Sequence, residues 1–124
     1  MDVPADDALL VACLCAGWCT TCDAYKPVLA GVAAQHPGLR FAWIDIEDDA
    51  DALGDDALDI ETFPTVMVLR AGRVLFHGTL LPHAGTLVRL LESLQGGGTA
   101  AGSAVPPQMA AAVWRLGPQR PLPG

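Results

Sequence analysis

The chain has 124 residues, 52% of them hydrophobic and 17% charged, with a formal net charge of −7. That length holds one domain with a single core. The acidic balance argues against nucleic acid and acidic membrane surfaces as partners, because phosphate binding needs clustered Lys and Arg.

In chain order, residues 8–15 form a nearly unbroken apolar run, which predicts a strand buried on both faces. The run is not read as a secretory leader. Residues 1–7 carry Asp2, Asp6 and Asp7 and no base, whereas a leader begins positive. The same sign argues against "LVAC" (10–13) as a lipoprotein processing box. No apolar run approaches the roughly 20 residues that span a bilayer. A cytoplasmic location is therefore the expectation, and there close cysteine pairs are more often catalytic or metal-binding than structural.

From Cys19 to about Gln35 the pattern becomes helical, with Tyr25, Val28, Leu29 and Val32 at three-to-four spacing, Pro27 inside it and "HPG" (36–38) ending it. Residues 39–46 alternate as a second strand. Residues 47–61 hold eight acids and no base, a solvated face with at most a short helix. Residues 65–70 and 73–77 predict a β-hairpin around Ala71-Gly72, and residues 83–94 a helix stopped by "GGG" (96–98). The order β-α-β-α-β-β-α indicates an α/β sandwich with a mixed sheet over residues 1–95. Residues 96–124 are a Gly/Ala/Pro-rich tail. It is either disordered or carries a short helix near 107–116 that docks through Trp114 and Leu116.

All four cysteines lie within "CLCAGWCTTC" (13–22). Cys19-Thr20-Thr21-Cys22 is a C-x-x-C at a strand–helix junction. There the unpaired N–H groups of the first helical turn favour a thiolate, the attacking species. Cys22 lies one turn further in, close enough to close a small disulfide ring. This divides the labour: Cys19 attacks and Cys22 resolves the mixed disulfide. Cys13 and Cys15 alternate along the first strand and share one face. Their readings are packing as small hydrophobes, or, for Cys13, an auxiliary thiol beneath the active pair. A tetrathiolate metal or iron–sulfur site is a further reading of the four, disfavoured because a stiff strand followed by a helix hardly wraps one ion.

"WCTTC" with Pro27 five residues after Cys22, and "FPT" (63–65) before a strand with "AGRV" (71–74) in the next turn, resemble the thioredoxin superfamily over about residues 8–95. The resemblance implies a thioredoxin-like three-layer sandwich with a mixed four-stranded sheet ordered 2-1-3-4, lacking the usual first βα unit. The second strand would then be an edge, covered by the tail around Trp114 or by a partner. The resemblance also implies a cis Pro64 facing the cysteines, a Phe63 backbone that binds extended peptide, and Trp18 shielding the site. It implies thiol–disulfide exchange on protein or small-molecule disulfides, with no cofactor and electrons from a reductase or thiol pool.

Three departures stand out. The dipeptide between the cysteines is Thr-Thr rather than Gly-Pro. Cys13 stands where the family carries a buried Asp, and Trp43 where it usually carries a Lys. Asp23 adds a negative charge beside Cys22. These losses support an alternative, a protein-binding module on the same fold with little turnover.

Overall fold

The computed structural model describes residues 9–16, 20–54, 65–70, 73–79, 83–95 and 105–122. The elements are β1 (Leu9–Cys15), α1 (Thr20–Gln35), β2 (Arg40–Asp45), α2 (Ala50–Leu53), β3 (Thr65–Arg70), β4 (Arg73–Thr79), α3 (Ala84–Gln95) and α4 (Pro107–Leu116), followed by a 3-10 turn at Gly117–Gln119. The described strands form one sheet in the order β2-β1-β3-β4, as the resemblance implied. β1 pairs parallel to β2 and antiparallel to β3, and β3 pairs antiparallel to β4. The hairpin is as expected, although its turn at residues 71–72 lies outside the described residues.

Alternation along the central strands splits the core into two layers. On one face, Leu9, Val11, Cys13 and Cys15 of β1 join Val66 and Val68 of β3. Helices α1 and α3 cover this face with Tyr25, Leu29 and Val32, and with Leu87, Leu91 and Leu94. On the other face, Leu10, Ala12 and Leu14 meet Met67 and Leu69 under Leu53 of α2 and Met109, Ala112, Val113 and Leu116 of α4. Full burial of each such aliphatic side chain contributes about 1.5–3 kcal/mol, and all of β1 is buried.

Helix α1 runs through Pro27, which sits on the exposed side. Proline there deprives one carbonyl of its N–H partner, a cost smallest where water can reach that carbonyl. At the far end His36 Nδ1 donates to the Val32 carbonyl at 2.9 Å, satisfying an acceptor that the last turn leaves open. The Asp45 carboxylate accepts from the N–H groups of Glu47 (2.8 Å) and Asp48 (3.1 Å), turning the chain out of β2 toward α2.

The C-terminal segment covers the β2 edge. The Trp43 N–H donates to the Arg120 carbonyl at 2.9 Å, and Trp114 of α4 packs against the core. Of the two coverings the sequence allowed for this edge, the chain's own tail supplies one.

Candidate active site

The redox candidates converge where β1 ends and α1 begins. Cys22 is in the first turn of α1 and only 1% exposed. It projects from the same helix face as Tyr25, Leu29 and Val32, toward β1. Cys15, the last residue of β1, is also 1% exposed, and its carbonyl accepts the Ile46 N–H at 2.9 Å. These two cysteines are joined by a disulfide, with Cα atoms 6.0 Å apart. That separation lies in the usual range for a disulfide bridge.

The bridge differs from the expected Cys19–Cys22 pairing. Cys22 faces inward, where the end of β1 presents Cys15, and the alternation that aligns Cys13 with Cys15 points both at α1. Cys13 is fully buried, with its Sγ 3.4 Å from the Sγ of Cys15. Three of the four cysteines thus form one buried row of sulfurs. Sequence reasoning placed Cys15 among packing residues. The signal that would have paired it is the shared inward face of residues 13, 15, 22, 25 and 29.

The remaining site residues of the sequence reading, Trp18, Cys19, Phe63 and Pro64, lie outside the described residues. Cys19 directly precedes Thr20, where α1 begins.

Around the sulfurs the polar groups are few. Tyr25 is 0% exposed, and its hydroxyl has no hydrogen-bond partner among the described residues. Burial, and secondarily the nearby Cys13, push this phenol above its ordinary value, so it stays protonated at neutral pH. Trp43, in the position where a lysine was expected by resemblance, pairs in register with Cys13 across β1 and β2. A lysine returns to this neighbourhood from another element: Lys26 Nζ of α1 lies 5.5 Å over the Trp43 ring. Lys26 also pairs with Asp23 at 3.2 Å, so the charge of Asp23 beside Cys22 is balanced locally.

Comparison with known proteins decides the lineage. The family model described as Thioredoxin matches residues 2–90. The chain belongs to the thioredoxin family. Thioredoxin H10 of Arabidopsis thaliana is 32% identical over 65 residues, which are 52% of this chain and 41% of that protein. The match therefore spans about two fifths of that relative's length. Among solved structures, thioredoxin f2 of Chlamydomonas reinhardtii superposes with a TM-score of 0.64 at 23% identity, covering 74% of this chain and 83% of that one. The germline-specific thioredoxin Deadhead of Drosophila melanogaster gives a TM-score of 0.62 at 22% identity, covering 73% and 84%. At such identities these structures establish the thioredoxin fold, which the sheet order and the flanking helices show independently. No helix among the described residues is long and apolar enough to cross a membrane.

Proposed function

We propose that this thioredoxin-family chain is a thiol–disulfide oxidoreductase that cycles Cys19 and Cys22 to reduce protein or small-molecule disulfides. The observation that carries this reading is Cys22 itself. It sits buried in the first turn of α1, bonded to Cys15 and so able to take part in disulfide exchange, in a C-x-x-C whose other cysteine, Cys19, immediately precedes that helix.

The residues assign the steps. Cys19, at the helix start, attacks a substrate disulfide as a thiolate, favoured there by the unpaired N–H groups and the helix dipole. One substrate sulfur leaves as a thiol, and Cys19 holds the other in a mixed disulfide. Cys22 then attacks Cys19, expelling the second substrate thiol, and the protein carries both oxidised sulfurs. A separate reductase or thiol pool returns two electrons, in keeping with a cytoplasmic reductant that needs no cofactor. Phe63 and Pro64 form the substrate-facing loop in this reading, and Trp18 shields the cysteines. In this reading Lys26, whose Nζ lies 5.5 Å over the Trp43 ring, is the candidate charge helper in place of a lysine on β2.

The test is reduction of insulin disulfides by the full chain with dithiothreitol as electron source. The wild type should accelerate precipitation of the freed chains. Cys19→Ser should fall to the rate of dithiothreitol alone. Undiminished turnover in that variant would refute the assignment.

A further inference from the structure

Most thiol–disulfide active sites need two sulfurs, and this chain places a second partner in bonding contact with the resolving one. We propose that Cys15 is a third redox cysteine, which takes Cys22 over from Cys19 inside the oxidised protein. The inference rests on the reading that Cys19 and Cys22 carry turnover, and it adds what happens after the substrate has left.

The step is an isomerisation with no outside oxidant. The Cys15 sulfur attacks Cys22, the Cys15–Cys22 bond forms, and the Cys19–Cys22 bond breaks. The proton lost by Cys15 is balanced by the one that Cys19 gains. The protein remains oxidised by two electrons, and Cys19 is again a thiol.

Three observations support it. Cys15 and Cys22 are bridged in the structure, and their Cα separation of 6.0 Å requires no movement of β1 against α1. Both residues are only 1% exposed, so an external thiol reaches this bridge poorly and the exchange is intramolecular. The Sγ of Cys13 lies 3.4 Å from the Sγ of Cys15, so the bridge sits in a row of buried sulfurs rather than at the surface. The buried bridge therefore stores the oxidised state, and Cys19 is the thiol that opens it.

Disulfide mapping of the unmodified full chain decides the matter. The protein is equilibrated in oxidised glutathione, acid-quenched, unfolded, alkylated and cut with chymotrypsin. Cleavage after Trp18 and Tyr25 puts Cys19 and Cys22 on one peptide and Cys15 on another. The expected product is a linked pair of peptides in which fragmentation finds Cys13 and Cys19 alkylated, within about tenfold of the looped 19–25 peptide, a gap of about 30 mV for two-electron couples. Oxidised protein in which Cys15 is alkylated throughout overturns the proposal. In Cys19→Ser, diamide should still produce the Cys15–Cys22 bridge, and glutathione should reopen it more slowly than in the wild type. Equal reopening rates would overturn the role of Cys19 as the opener. Failure of the two readings is distinguishable: insulin turnover in Cys19→Ser tests the active pair, and the linked peptide tests Cys15 whatever the turnover.

Discussion

Arg120 holds Asp49 in a two-pronged grip across 71 residues of sequence, Nε to Oδ2 at 2.9 Å and a terminal nitrogen to Oδ1 at 2.6 Å. Asp49, 7% exposed, precedes α2, and the Arg120 carbonyl accepts the Trp43 N–H of β2. One tail residue thus ties α2 and the sheet edge to the C-terminal segment.

Arg120→Ala should release that tie. Its melting temperature should fall and the Trp43 amide should exchange faster with deuterium. Arg120→Lys should rescue only partly, because an ammonium cannot reproduce the planar fork. The hydrogen bond and the charge of Asp49 raise the guanidinium above its ordinary value. A raised cation contributes fully below its unfolded value and is lost only as pH rises through the folded one. The tie should therefore survive to the alkaline limit of arginine. An unchanged Trp43 exchange rate in Arg120→Ala would show that the tail is held without the fork.

Gly117 marks a close approach between the tail and the sheet. A Cβ there would lie 2.5 Å from Cδ2 of Leu10, a side chain buried at 1% exposure. Gly117→Ala should destabilise the fold by about 1–3 kcal/mol, the usual cost of overpacking. Pairing it with Leu10→Val should return part of the loss. Urea unfolding of the two single variants and the double gives the coupling, and simple additivity would contradict the contact.

Tyr25 makes a pH-dependent contribution with a definite sign. Its phenol titrates above the ordinary value in the folded chain, so the unfolded state loses its proton first as pH rises. Stability should fall beyond about pH 10 by up to about 1.4 kcal/mol per pH unit. Tyr25→Phe removes the ionisation and a buried hydroxyl that has no hydrogen-bond partner among the described residues. It should be as stable as the wild type or more so at pH 7, and should lack this component of the alkaline loss. Urea midpoints at pH 7 and pH 10.5 for both proteins check it; parallel slopes would discount Tyr25.

Ending the chain at residue 104 should strip α4 from Leu10, Ala12, Leu14, Met67 and Leu69 and bare the β2 edge. Dye binding to exposed apolar surface and self-association on a sizing column are the expected signs. A monomer as stable as the full chain would mean that α4 covers nothing essential.

Much of this was legible in the residues. The apolar run of 8–15 reads as a central strand because both of its faces are buried, and the three-to-four spacing of Tyr25, Leu29 and Val32 marks the face of α1 that meets it. Turn residues and alternation foretold the hairpin and its pairing. The acidic stretch is described only over residues 47–54, where Ala50–Leu53 forms a short helix that ends at Gly54.

By itself the sequence determined local periods and the C-x-x-C at the start of a helix, because those depend on neighbours three or four residues away. Tertiary structure alone decided which sulfur meets Cys22 and what closes the β2 edge. Cys15 becomes the partner of Cys22 only when β1 and α1 pack with their buried faces together, and Arg120 finds Asp49 only when α4 settles on the second face of the sheet. Such meetings are set by the burial of whole faces and by the directions in which side chains leave them. No short-range pattern encodes either.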